Sequence, residues 1–103
     1  MTDDSLLLND IIKSYELGWI TDKKLKDRLV RQVKAVIKIE VKIEKIEEKD
    51  KKNRDKKIGK LEQKIDKKLA KALLIELKAY KKDKINEEAY NIIKGDLEWL
   101  INN

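Results

Sequence analysis

The chain has 103 residues, a single-domain length that suffices for one modest core. Charged residues make up 45% of it and hydrophobic residues 41%, with no proline and three glycines, a bias toward Lys, Glu, Ile and Leu that favours long helices and an all-α class. Cysteine and histidine are both absent, which excludes disulfides, thiolate nucleophiles, imidazole bases and the commonest ligands of zinc, copper and haem.

The net charge of +6 is unevenly spread: residues 1–22 carry −4, residues 23–82 carry +13 and residues 83–103 carry −3. The Lys and Glu enrichment resembles the proteome bias of hyperthermophiles and also that of AT-rich genomes, and suggests a thermophilic archaeon or one of its viruses or plasmids as the source. The opening Met1-Thr2-Asp3-Asp4 provides no basic start ahead of an apolar run, and no apolar run approaches ~18 residues, so a cytoplasmic location is expected.

Periodicity predicts four helices over about 3–17, 22–50, 56–82 and 87–102 in one domain, residues 1–103. The first starts among Thr2 to Ser5, whose side chains can accept the free amides of a helix start. It carries Leu8, Ile11, Ile12 and Tyr15 on its apolar face, widened by Leu7, and Gly18 fits its end. Thr21 is placed to cap the second helix, with Ile20 and Leu25 as a hydrophobic staple.

In the second helix, Leu25, Leu29, Gln32, Val36, Ile39, Ile43 and Ile46 follow alternating steps of four and three, a heptad seam interrupted only by Gln32. The run Ile37 to Ile43 also alternates like a half-buried strand. The unbroken heptad through it and the lack of a partner strand favour helix.

The charged stretch Lys49 to Lys60 follows, with Ile58 as its single apolar side chain, and reads as the tip of a helical hairpin reversing near Arg54. The alternative is one uninterrupted rod through the second and third helices, since no proline breaks it. Ile58, Leu61, Ile65, Leu69, Ala72, Leu73, Leu77 and Tyr80 mark the third helix. Asn86 caps the fourth, with Ile85 and Tyr90 repeating the staple and Ile93, Leu97, Leu100 and Ile101 continuing its apolar face. Tyr15, Ile20, Thr21, Asp22 and Leu25 correspond to Tyr80, Ile85, Asn86, Glu87 and Tyr90 at an offset of 65, two equivalent turn solutions rather than a duplicated gene.

Short loops make neighbouring helices antiparallel, so the expected architecture is an up-down-up-down four-helix bundle. Its short outer helices cannot cover its long inner pair, which leaves a coiled-coil-like arm bounded loosely by Lys38 and Asp66. Trp19 and Trp99, from opposite ends of the chain, read as core plugs rather than a ligand platform.

No catalytic, cofactor or metal motif stands out, and an enzyme is not expected. Glu40, Glu44 and Glu47 form one acidic stripe, read as solvated or paired with neighbouring lysines. Gln32 and Glu76 fall at one height of the hairpin and form an expected buried polar layer, hydrogen-bonded to each other or served by Arg28 or a tyrosine, that fixes register. Val30, Ile37 and Val41 lie beside the seam and either meet a protein partner, most simply a second copy in a homodimer, or widen the face that receives the outer helices, leaving only Val41 exposed.

Arg31, Lys34, Lys38, Lys42, Lys45 and Lys49 form a basic stripe opposite the seam of the second helix, and Lys60, Lys64, Lys67, Lys71 and Lys78 are its counterpart on the third. They serve either as a solubilising surface or as contacts to nucleic-acid phosphates, though acids interleave near the tip and the arm has no aromatic for base stacking. The leading expectation is a non-enzymatic, self-associating interaction or scaffold protein working through the arm. The alternative is a nucleic-acid-associated accessory protein using the lysine stripes.

Overall fold

The computed structural model describes residues 4–49 and 54–102. They form four helices, α1 (Asp4–Glu16), α2 (Lys23–Lys49), α3 (Arg54–Lys81) and α4 (Glu87–Asn102). Each helix packs on two neighbours, in the pairs α1 with α2, α2 with α3, α3 with α4 and α4 with α1. The α2 to α3 contact rules out one uninterrupted rod. The reversal itself falls in residues 50–53, outside the described residues, and so do the side chains of Lys49 and Arg54.

The residues Ile37 to Ile43 are helical within α2, because Val36 and Ile39 bury on the same face as Leu25, Leu29 and Val33. Val33, 1% exposed, takes the core position that strict heptad spacing assigns to Gln32, which is only half-buried. In α1 the core-facing residues are Leu7 and Ile11, while Leu8 and Tyr15 pack at the flank and Ile12 is exposed. The other helices mix small and large side chains: Ala72 and Ala79 of α3 and Ala89 of α4 are buried beside Leu69, Ile93 and Leu97. Such small residues let helix axes approach closely. Tyr80 lies outside this core at 37% exposure and stacks on Tyr90 with centroids 4.4 Å apart.

α2 and α3 have 27 and 28 residues, against 13 and 16 for α1 and α4. At ~1.5 Å per residue the inner pair is therefore about twice as long as the outer pair. Beyond Ile39 on α2 and before Leu69 on α3 no described residue is fully buried, and Ile43, Ile46, Ile58, Leu61 and Ile65 stay half-buried. The molecule measures 48 × 24 × 20 Å as a result.

The two loops at the other end are built alike. Each helix before them ends with a pair of reversed hydrogen bonds, Trp19 N to Ser14 O (2.9 Å) and Gly18 N to Tyr15 O (3.1 Å) after α1, Lys84 N to Ala79 O (3.0 Å) and Asp83 N to Tyr80 O (3.2 Å) after α3. This closure needs a left-handed residue just past the helix, and Gly18 (φ 80°) and Asp83 (φ 58°) supply it. The loops then pair with each other: Thr21 N donates to Lys84 O (3.0 Å), Asn86 N donates to Trp19 O (2.9 Å), and Ile20 and Ile85 form an antiparallel bridge.

Past the bridge the two loops differ by one residue. Asp22, not Thr21, caps α2, its Oδ1 accepting from Lys24 N at 2.9 Å. The Thr21 hydroxyl instead donates to Lys84 O at 3.3 Å. Asn86 caps α4 through its Oδ1, which accepts from Ala89 N at 2.8 Å. Asp22 and Asn86 are thus equivalent at an offset of 64, and Thr21 is the extra residue. Lys26 then matches Tyr90, and each sits on the tyrosine that ends the preceding helix, the Lys26 ammonium 5.1 Å above the Tyr15 ring and Tyr90 on Tyr80.

A Cβ at Gly18 would meet nothing within 4 Å, so the cost of Gly18→Ala is conformational, about 1 kcal/mol. Asp83→Gly should do the reverse and stabilise by roughly 0.5 kcal/mol, relief of the left-handed strain being partly offset by a more flexible unfolded chain. Chemical denaturation of the two variants checks both signs, and a destabilised Asp83→Gly would contradict the equivalence of the loops.

Candidate functional site

The outer face of the α2 and α3 pair, away from α1 and α4, carries a long crevice. Along the arm its floor is Ala35, Ile39, Ile46 and Leu61. Lys38, Lys42 and Lys45 of α2 form one wall, and Lys57, Lys60, Lys64, Lys67 and Lys68 of α3 form the other. Two adjoining segments of 500 and 470 Å³ share Lys42 and Lys64, which face each other across it.

A third segment of 330 Å³ lies on the same face near the loops, floored by Leu25, Ile75 and Ala79 and walled by Lys24 and Arg28 on one side and Lys71, Lys78 and Lys82 on the other. The helical repeat explains the alignment: Lys24, Arg28, Ala35, Lys38, Lys42 and Lys45 recur at three, four or seven residues, and so do Lys57, Lys60, Lys64, Lys67, Lys71 and Lys78.

Fourteen Lys and Arg side chains line the three segments against a single acid, Asp22. Asp22 is engaged by Lys84 at 3.0 Å, and that ammonium holds its carboxyl below the usual carboxylate range. None of the described acids on α2 and α3 lines these three segments, and Asp27 of α2 lies in the depression that shares Ala35 and Lys38 with them. Within 10 Å or so, like charges in such a row are screened only in part and raise the local anion concentration.

Most lysines of the two sequence stripes meet in this crevice. Lys38, Lys42 and Lys45 of the first and Lys60, Lys64, Lys67, Lys71 and Lys78 of the second line it. Arg31 and Lys34 border a further depression of 360 Å³ on α2 with Asp27 and Val30, which shares Ala35 and Lys38 with the crevice, and the Lys49 side chain lies outside the described residues. Sequence spacing missed Lys24, Arg28, Lys57, Lys68, Lys82 and Lys84. A test of which lysines share a helical face, rather than which form unbroken runs, would have found all but the two loop residues.

Val30 and Ile37 pack partly buried against the core, and only Val41 of that trio is exposed, at 43%. Trp19 packs against the core from its loop, while Trp99 is 38% exposed on α4. Among the described residues no group of three or more acids is placed to hold a metal ion, and no described helix is long and apolar enough to cross a membrane.

Glu76 is the anomaly of the core. It is fully buried, yet neither carboxyl oxygen has a hydrogen-bond partner among the described residues, so the expected bond to Gln32, Arg28 or a tyrosine is not made. Gln32 is half-buried, next to the fully buried Val33. Ile11 is the equivalent of Glu76 at the loop offset of 65, and the two are buried at the same level. Burial pushes the Glu76 carboxyl up to about 9, resisted by the Lys94 backbone and ammonium and reinforced by Glu98 and Asp96 of α4.

Comparison with protein-family models, curated protein sequences and solved structures gives no match to this chain.

The raised Glu76 value sets a sign. The folded state holds the proton that the unfolded chain releases above its ordinary value of 4.5, so stability is full below about pH 4.5 and falls as pH rises toward 9. By pH 7 the loss is on the order of 3 kcal/mol. Glu76→Leu should raise the unfolding midpoint at pH 7 by several degrees and remove most of this slope, whereas Glu76→Gln should remove the slope with a smaller gain. Thermal unfolding between pH 5 and 9 reads both, and a wild-type curve flat over that range would exclude the buried carboxyl as its origin.

Proposed function

We propose that this protein is a non-enzymatic interaction module, an up-down-up-down bundle of antiparallel helices whose protruding α2 and α3 arm holds an extended, negatively charged partner. The observation that carries this reading is the crevice: fourteen cationic side chains on one face with one acid among them. A merely solubilising surface intersperses both signs. Here the described acids of the same two helices lie off the three segments, with Asp27 at their margin. The absence of His and Cys from the sequence removes the usual catalytic bases and nucleophiles, which supports a binding role.

Self-association is a second reading, favoured by a specific feature. Exposed apolar side chains include Leu6 (40%) and Ile12 on α1, Leu17 (58%) just past it, and Ile92 (42%) and Trp99 (38%) on α4, in addition to Val41 on α2 and Leu74 on α3. A dimer formed through α1 and α4 would leave the crevice open. Sedimentation at high salt, where an apolar contact persists, tests it, with Val41→Lys expected to weaken a dimer that uses the α2 flank.

Retention on a heparin column tests the leading reading. The wild type should elute well above physiological salt. Lys42→Glu/Lys64→Glu should elute much earlier, while Lys13→Glu/Lys23→Glu, with the same change in net charge but outside the crevice, should elute close to wild type. Equal shifts in the two double variants would mean that only net charge is read, and would remove the crevice as a site.

A further inference from the structure

We infer that the partner of the crevice is double-stranded nucleic acid, gripped along its phosphate backbone with no preference for sequence. This rests on the reading of the crevice as the contact surface and identifies what occupies it. Protein interfaces exclude lysine from their centres, because each ammonium is costly to desolvate against an apolar surface. This crevice is lysine along both walls for its whole length, with a single arginine, Arg28. An ammonium is a compact point charge that suits a phosphate, whereas base recognition in a groove relies mainly on bidentate Arg, Asn and Gln.

Two further features separate duplex from single strand. Proteins that hold single strands stack the bases on aromatic rings, and none of the five aromatic residues lines the crevice. The walls also have the length of a duplex repeat. From Lys24 to Lys45 the α2 wall rises ~32 Å, and from Lys57 to Lys82 the α3 wall rises ~38 Å, close to the ~34 Å of one duplex turn. A duplex presents one charge per ~1.7 Å of axis, so several lysines on each wall can reach phosphates at once.

The opposite side of the molecule reinforces a single mode of approach. α1 and α4 carry Asp4, Asp10, Glu16, Glu87, Glu88 and Glu98 against Lys13 and Lys94, so a polyanion is repelled from that side and drawn to the crevice.

Fluorescence anisotropy with a labelled duplex of about 20 base pairs and arbitrary sequence tests the inference, alongside a single strand of equal length, polyglutamate, and vesicles containing anionic phospholipid. The duplex should bind tightest, equally for unrelated sequences, with log Kobs falling against log salt at a slope of about −4 to −7. Lys42→Glu/Lys64→Glu, shown by circular dichroism to be folded, should lose at least about tenfold in affinity at about 50 mM salt and lower the slope by about two. Lys13→Glu/Lys23→Glu should stay within about threefold of wild type. Tighter binding to single strand, polyglutamate or vesicles overturns the duplex assignment, and so does no duplex binding at about 50 mM salt. In those cases the crevice remains the contact surface as long as Lys42→Glu/Lys64→Glu still loses heparin retention. If that variant keeps both heparin and duplex binding, the inference and the reading beneath it fail together.

Discussion

The two hydrogen bonds exchanged between the loops, Thr21 N to Lys84 O and Asn86 N to Trp19 O, fix everything else in this fold. They join the α1 to α2 turn to the α3 to α4 turn, so four helix ends are tied at one end of the molecule. Each bond is backed by chemistry next to it: Ile20 and Ile85 bury beneath the bridge, and the Asp22 to Lys84 ion pair closes it from outside. The ion pair alone is worth little at this exposure. Its place beside two backbone bonds and two buried isoleucines makes it part of a joint rather than an isolated surface contact.

Helix length then does the rest. With all four helices starting or ending at the same level, α1 and α4 run out first and α2 and α3 continue without cover. The core is accordingly concentrated toward the loops, from Ile20 and Ile85 up to Ile39 and Leu69. The arm beyond keeps only a half-buried seam, and its lysine stems add apolar cover to that seam while their ammonium groups remain in water. One set of side chains thus shields the seam and charges the crevice. Glu76 runs against this economy, an unpartnered carboxyl where the equivalent position of the other half carries Ile11. It lowers stability without serving the crevice, a cost that Lys94 of α4 offsets only in part.

The number and type of helices were legible in the sequence, because the apolar period and the glycine after α1 are local signals. The second left-handed residue was not, since aspartate at position 83 resembles any polar loop residue until the hydrogen bonds around it are seen. The repeat was legible at an offset of 65 as far as the bridge, and Thr21 hid its continuation at 64 by posing as the cap. Strict heptad spacing put Gln32 on the seam with Leu25, Leu29, Val36 and Ile39, which do bury, but it passed over Val33, which is buried one position further along. The lysine stripes were visible as separate rows opposite each seam. Their meeting depends on how α2 rolls against α3, a tertiary quantity, and so does the placing of the described acids off the crevice segments.

Native-state hydrogen exchange resolved by residue tests most directly whether the loop joint holds the fold while the arm stands free. With the joint in control, the amides of Thr21 and Asn86 exchange only through global unfolding, at the same free energy as those of Leu29 and Ile93. Those of Ile43, Ile46, Leu61 and Lys64 then exchange through smaller openings that cost less. Loop amides exchanging faster than arm amides would contradict it.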